Sequence, residues 1–417
     1  MMHAFKALGV PAFRLYMSGQ AVSVIGFWMR LTAQGWLAWE LTGSKATLGM
    51  VSALGLVPVV LISPWAGTLA DRFDRRRLLM AVATGTATVN VITGVEVLAG
   101  WMTLPHLVVQ SAAAGVFRAL EMPIRQAFVS DVVGKAHLFN AIGLNAAAFN
   151  GARIVGPAIA GAILAWKGSG PCFLAVAAAA AWNVLALWRI DLARRPTRVR
   201  DGGPWRQLLE GMRYVVRHRR TRTLILLQVI GMVSTWGYMA LLPAYAQEVL
   251  GLAESGYSQM LAVSGVGALL GALWVSARAG RIPATRNVVF GCVWAGMLCV
   301  VGFGLARSMW AAAPALVVAA FCQVAFMATA NTMIQEAAPD DLRGRVMGLW
   351  VFSFGASLPL GQAALGYVAE HVGLHEAIVG GPLVGLALSI VVRARMPPRT
   401  AGGKDALPEP ARTDEIA

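Results

Sequence analysis

The chain has 417 residues, of which 57% are hydrophobic and 13% charged, and its formal net charge is +15. Soluble globular proteins carry about twice that charged fraction, so a soluble enzyme is excluded, and the apolar content excludes a disordered chain. A basic excess points to nucleic acid in a soluble protein. Here it is shared with long apolar runs, so membrane topology explains the charge and no nucleic-acid partner is expected.

Twelve apolar runs approach the ~20 residues that cross a bilayer. In chain order they cover 15–39, 47–70, 78–99, 104–122, 140–166, 171–189, 223–246, 257–277, 288–306, 310–333, 346–369 and 377–394. Turn and breaker residues separate them, among them LTGSKA at 41–46, MTLP at 102–105, KGSGP at 167–171 and LGLAESG at 250–256. The first run contains Arg30 and Gln34 and lacks a small-residue cleavage site, so a retained span is expected rather than a signal peptide. Cys172, Cys292, Cys299 and Cys322 all fall inside runs with no CxxC pair, which predicts packing rather than metal or redox chemistry. His371 and His375, in EHVGLHE, are read as solvated loop residues, and no metal or other cofactor is expected.

Charge sets the orientation. With the N-terminus inside, the inner loops hold Arg72, Arg75, Arg76, Arg77, Arg125, Lys135, Arg278, Arg281, Arg286, Arg343 and Arg345, and the stretch 189–222 adds eleven arginines. The outer loops hold only Lys45, Lys167 and Arg307. The positive-inside rule then places both termini in the cytoplasm, in a multi-pass cell (inner) membrane protein whose inner loops meet anionic headgroups.

The chain also repeats itself at an offset of 205–209 residues: Gln20 and Trp28 match Gln228 and Trp236, while Gly143, Leu144, Gly156 and Gly161 match Gly348, Leu349, Gly361 and Gly366. The expected fold is an all-α membrane protein of twelve transmembrane helices in two six-helix pseudo-symmetric halves with parallel orientation. The boundaries are a cytoplasmic N-terminus at 1–14, a first bundle at 15–189, a basic linker at 190–222, a second bundle at 223–394 and a disordered tail at 395–417. In the linker, Trp205, Leu208, Leu209, Met212, Val215 and Val216 recur at helical spacing between arginines, which predicts an amphipathic helix on the inner leaflet.

The loop after the second run reads GTLADRFDRRRLL. Gly67 permits close helix approach, Asp71 lies where a carboxylate meets a helix N-terminus, and Arg72, Arg75, Arg76 and Arg77 suit headgroup anchoring. This loop resembles the signature between helices 2 and 3 of the major facilitator superfamily. SGQAVSVIGFWM, WELTGS, EMPIRQAFVSDVVGKAHLFNAIGLN, FNGARIVGPAIAG, EGMRYVVRHRRTR and PDDLRGRVMGL are similar to the branch that contains the enterobactin exporter and macrolide efflux proteins. The resemblance covers nearly the whole chain. It implies alternating access around a central site, by an exporter of a small amphipathic molecule such as a siderophore or drug-like compound. A non-transporting sensor or scaffold, and an importer of an anionic metabolite, stay open as alternatives.

Residue by residue, the resemblance implies a charge relay of Asp71, Arg75 and Glu121. Asp71 also faces the start of helix 11, where Asp340 or Asp341 is expected as N-cap; together these latch the outward-facing state. The second-half loop, ARAGRIP, keeps Arg278 and Arg281 but has Gly280 opposite Asp71. Gly156, Pro157 and Gly161 resemble the antiporter signature of helix 5, with Ala160 in place of one glycine; small residues allow tight contact and proline a kink.

Intramembrane charge is costly and marks function. Arg30 lies about 18 Å of helix from Ser18, and Arg153 about 20 Å from Asn140, so both are expected near mid-bilayer facing a cavity or partner. Gln34, Asn145, Asn150 and Gln323 are candidates for the same cavity, with Trp236 and Tyr238 as flat apolar or cation-binding surfaces. No acid is expected deep in a span, and Phe27 stands where the family pattern has an acid. Coupling to the proton gradient would then rest on a peripheral acid such as Glu121 or Glu248. Without buried acids the cavity is expected to be electropositive and to favour neutral or anionic substrates, and a monomer is expected.

Overall fold

A computed structural model describes residues 2–191, 204–277, 286–340 and 342–395; the side chains at 2–5, 64, 67, 68, 70, 71, 135 and 204–208 lie outside the description. Every described element is helical. A short 3-10 helix, Met2–Gly9, leads into α1 (Pro11–Thr42), α2 (Lys45–Arg72) and α3 (Arg75–Leu98). Next come α4 (Leu104–Gly134), α5 (Ala136–Lys167) and α6 (Ser169–Trp188). The linker contributes α7 (Pro204–Arg217), followed by α8 (Arg219–Glu248), α9 (Glu254–Ala277), α10 (Arg286–Leu305), α11 (Met309–Ala337), α12 (Arg343–His371) and α13 (Leu374–Ala394).

Among the described residues, 11 helices are long and apolar enough to cross a membrane, not the expected twelve. The missing one is α1. Its 32 residues suffice in length, but Arg14, Gln20, Arg30, Gln34 and Glu40 dilute its apolar character. A second difference concerns α4, which runs to Gly134 rather than ending near 122. Arg125, Gln126 and Asp131 hide its last turns from a hydropathy reading, although Ile124, Phe128, Val129, Val132 and Val133 are buried there.

Local chemistry sets the helix ends. Pro11 opens α1, where its fixed φ suits the first turn. Gly43 closes it at φ 58°, a left-handed position that favours glycine, and donates its N–H to the Trp39 carbonyl. Ser44 Oγ accepts the Thr47 N–H at the start of α2, and Asp74 Oδ1 accepts the Arg77 N–H at the start of α3. Gly134, at φ 65° and ψ 178°, separates α4 from α5. The backbone stays helical through Pro157, so in this stretch the break falls at Gly134 and not at the proline.

Close packing rests on small residues, as expected where helices associate without a hydrophobic drive from water. A Cβ at Gly156 would lie 2.5 Å from Trp28 Cβ and 2.9 Å from the Ile25 carbonyl oxygen, so α5 rides directly on α1. Its repeat equivalent Gly361 would meet the Met232 carbonyl oxygen at 2.5 Å, setting α12 on α8 in the same way. Other glycines join the N-terminal helices to the C-terminal ones. Gly49 abuts Gln362 and Gly366, Gly161 abuts Ser258, and Gly265 packs on the Arg153 carbonyl.

The Gly265 junction lies nearer the middle of the molecule, and those of Gly49 and Gly161 toward one end. There Trp39 Nε1 donates to Gln247 Oε1 at 2.6 Å, and Lys45 Nζ pairs with Glu248 at 2.8 Å. The Lys45 N–H donates to Glu370 Oε2 at 2.7 Å, and Trp36 stacks on Tyr257. At the opposite, arginine-rich end a Cβ on Gly143, Gly151, Gly344 or Gly348 would meet nothing within 4 Å. The helices thus close together at the end carrying the α1–α2 and α8–α9 turns.

The linker helix α7 docks on α12 through Gly211 against the Arg345 backbone and through Glu210 Oε2 to Arg345 Nη1 at 3.0 Å, while Tyr214 OH donates to the Ala337 carbonyl. Of its expected apolar face, Val215 is buried, whereas Leu209, Met212 and Val216 form an exposed stripe. The side chains of Trp205 and Leu208, the loop residues Arg278, Gly280 and Arg281, and the tail beyond 395 lie outside the described residues.

Candidate functional site

Between the N-terminal and C-terminal helices lies a cavity of about 500 Å³. Its walls come from α1 (Gln20, Phe27, Trp28, Arg30, Gln34), α4 (Ser111, Arg118, Glu121), α5 (Phe149, Arg153) and α6 (Asn183). The facing wall comes from α8 (Trp236, Met239), α9 (Tyr257, Leu261) and α12 (Phe354, Leu358, Gln362). The contacts described above seal its far end.

Arg30 is half-buried on this wall, and its Nη2 donates to the Gln110 carbonyl at 3.3 Å. Its Nε is buried without a partner. Arg153, 8% exposed, lies between two indoles from opposite sides of the cavity, 5.5 Å from the Trp28 ring centre and 5.9 Å from that of Trp236. Cations over indole faces are attracted by the ring quadrupole, more strongly when desolvated. Trp236 owes its place to a wide π-helical turn, Met232–Trp236, inside α8. Such turns shift helix register and recur at functional sites. Ser234 Oγ within it donates back to the Ile230 carbonyl at 2.6 Å.

Two further charged residues belong here. Arg118 was not singled out from the sequence, yet it lines the cavity. Its Nη1 lies 3.2 Å from Glu121 Oε2, and its guanidinium caps the Phe27 ring at 4.1 Å. Arg125 holds the other Glu121 oxygen at 3.5 Å. Glu121 is therefore not at an inner helix end, as the sequence reading had it. It lies thirteen residues before Gly134, about 20 Å of helix, and faces the cavity. The Arg118–Glu121 spacing of three, inside an apolar run, is the signal that was available.

The other expected cavity residues divide. Gln34 and Trp236 line the cavity, and Gln34 Oε1 is buried without a partner. Asn145, Asn150, Tyr238 and Gln323 do not line it. Asn145 Oδ1 accepts the Tyr16 hydroxyl at 3.4 Å, and Asn150 Nδ2 donates to its own helix at the Ala146 carbonyl. Tyr238 and Gln323 line a separate space of about 20 Å³ among α8, α10 and α11, with Cys292 and Met297. Depth along a helix is readable from sequence; rotation about its axis is set by packing.

The charge relay also differs from expectation. Arg75 Nη1 pairs with Asp131 Oδ2 at 2.8 Å, not with Glu121, which lies ten residues away on the same helix, about 15 Å along its axis. Arg72 is exposed, while Arg76 donates Nε to the Leu187 carbonyl at 2.8 Å and Nη2 to the Trp188 carbonyl, tying α3 to the end of α6. The side chains at Gly67 and Asp71 and the whole of Asp341 lie outside the described residues. Asp340 does not cap α12: it pairs with Arg343 at 2.6 Å, and Leu342 occupies the cap position without a side-chain bond. Of the helix 5 motif, Gly156 and Gly161 make the two close contacts already given, to α1 and α9.

The comparisons with known proteins say which family of helical membrane proteins has this sequence and fold. Residues 2–414 match the family described as transmembrane secretion effector. The chain belongs to this major facilitator family. It is 25% identical over 382 residues to the staphyloferrin A transporter of Staphylococcus aureus, covering 87% of this chain and 90% of that protein. It is 29% identical over 405 residues to the multidrug efflux pump Tap of Mycobacterium tuberculosis, covering 91% of each. In fold it is similar to the nucleoside transporter NupG, with a TM-score of 0.75, 12% identity and coverage of 92% and 99%. These are transporters and not enzymes, and the chain is a multi-pass membrane member of the same superfamily.

Proposed function

We propose that this chain is a secondary active exporter that moves a small amphipathic molecule out of the cell by alternating access. The carrying observation is the central cavity, walled off by Trp39–Gln247, Lys45–Glu248 and Glu370 at one end. In this reading α1 is the twelfth span, made tolerable in the membrane because Gln20, Arg30 and Gln34 face the cavity rather than lipid, while Arg14 and Glu40 lie near its two ends. The helices then form two six-helix halves, α1–α6 and α8–α13, that rock against each other, so that the glycine junctions α2–α12 and α5–α9 part when the sealed end opens. Both termini and α7 lie on the cytoplasmic side, and the exposed Leu209, Met212 and Val216 stripe meets the inner leaflet. The described conformation is the inward-open one.

Among the described residues Glu121 is the carboxylate on the cavity wall, so in this reading proton coupling runs through it and the guanidiniums of Arg118 and Arg125. The test is flux in reconstituted vesicles with siderophores, macrolides and dyes, with and without a pH gradient. Accumulation of at least one class is expected. No flux of any class refutes the exporter reading, and flux indifferent to the pH gradient removes the proton-coupled form of it.

A further inference from the structure

The cavity is chemically one-sided. Among the described residues, the charged ones that line it, Arg30, Arg118, Glu121 and Arg153, all belong to the N-terminal helices. The C-terminal helices face them with Trp236, Met239, Leu261, Phe354 and Leu358. The three guanidiniums are not equivalent. Arg118 is held by Glu121 at 3.2 Å and by the Phe27 ring, and Arg153 is flanked by two indoles. Arg30 has one long bond, to a neutral backbone carbonyl at 3.3 Å, and a buried Nε without any partner. A guanidinium presents five N–H donors in a planar fork that matches a carboxylate. Buried donors are normally satisfied, and one that is not costs free energy until something binds it.

Other unsatisfied atoms gather around the same space. Gln34 Oε1, Gln362 Oε1 and Trp28 Nε1 are buried without partners, and all three residues line the cavity. The two amides can turn to present either oxygen or N–H, so they serve neutral polar groups on either side of a bound head.

We infer that the central cavity is built for an amphipathic anion, with its carboxylate on Arg30 and its apolar body on the plate formed by Trp236, Leu261 and Phe354. This deepens the exporter reading and rests on it for the direction of movement. It commits the substrate to one orientation, head toward the N-terminal half and body toward the C-terminal half. A lipophilic cation of the same shape meets three guanidiniums and one carboxylate already shared between Arg118 and Arg125, so it is disfavoured.

The experiment uses the full chain purified in detergent and three probes of one shape: naphthaleneacetate, its methyl ester and naphthylmethylammonium. Affinities are measured by calorimetry and by competition with a radiolabelled probe. The anion is expected to bind about tenfold or more tightly than the ester, the worth of one charge-assisted hydrogen bond, and the cation weakest. In Arg30→Gln the anion-to-ester ratio is expected to fall to near one, with partial retention in Arg30→Lys. A monodisperse elution profile for each variant separates loss of preference from loss of fold. Equal affinity for anion and cation, an unchanged ratio in Arg30→Gln, or binding of none of the three probes overturns the inference. The exporter reading is judged separately by vesicle flux: flux without anion preference sinks only this inference, and anion preference without flux sinks only the exporter.

Discussion

Replacing Gly265 with alanine is expected to move the molecule away from the conformation described above. A Cβ at this position of α9 would lie 2.8 Å from the Arg153 carbonyl oxygen, 2.9 Å from its carbon and 2.9 Å from Ile154 Cγ1 on α5. Two of these are backbone atoms, so the overlap cannot be relieved by a rotamer change. Inserting a methyl group into such a contact costs about 1–3 kcal/mol. Alanine also favours the helix over glycine by roughly 0.5–1 kcal/mol, but that gain is common to both conformations and cancels between them. The net effect is a shift of about 5- to 150-fold against the closed α5–α9 junction. The assay is a spin-label distance measurement between Leu41→Cys and Ala253→Cys, exposed positions on opposite sides of the sealed end, in a background lacking Cys172, Cys292, Cys299 and Cys322. A new population at longer distance is expected. As a comparison, Gly143→Ala places its Cβ in open space and is expected not to depopulate the short distance. An unchanged distance distribution in Gly265→Ala would refute the claim that this backbone contact holds the sealed end shut.

The charge relay is tested by double-mutant cycles on thermal unfolding: Arg75→Ala and Asp131→Ala are expected to be non-additive by about 0.5–1 kcal/mol, whereas Arg75→Ala and Glu121→Ala are expected to add. A coupling of Arg75 to Glu121 instead would restore the relay expected from the sequence. Glu121→Gln leaves Arg118 and Arg125 without their shared carboxylate and is expected to lower the unfolding temperature, with a loss of about 1–3 kcal/mol; a variant as stable as the parent contradicts that pairing. At the sealed end, Glu370→Ala removes the acceptor of the Lys45 and Ala46 N–H groups and is expected to raise the rate at which a cysteine at the buried, cavity-lining Ala38 is alkylated from the side of the seal in vesicles. An unchanged rate would show that these bonds do not hold the seal. Tyr245→Phe removes a buried hydroxyl that donates to the Phe303 carbonyl at 2.6 Å, and a loss of about 1 kcal/mol without change in substrate preference is expected on equilibrium unfolding.

Amino-acid order alone was enough for the class of molecule. Apolar runs long enough to cross a bilayer, arginines gathered in alternate loops and a repeat of about two hundred residues are one-dimensional signals, and the repeat is visible in space as the paired contacts of Gly156 and Gly361. Arg30 and Arg153 were found in the same way, because charge in an apolar run is costly wherever the helix turns. What the sequence could not specify was rotation and reach. Asn145 and Asn150 turn to other partners and Tyr238 and Gln323 face a separate small space, while Arg118 turns inward with Glu121. The length of α4 was hidden because its polar residues beyond 122 do not end the helix, and so Glu121 lies about 20 Å of helix before the end of α4 rather than at it. Only the packed helices decide which guanidinium is satisfied and which is left open, since Arg30, Arg118 and Arg153 are chemically identical in the sequence. Hydrophobic content is a property of composition; the one-sidedness of the cavity comes from which faces the close glycine contacts bring together.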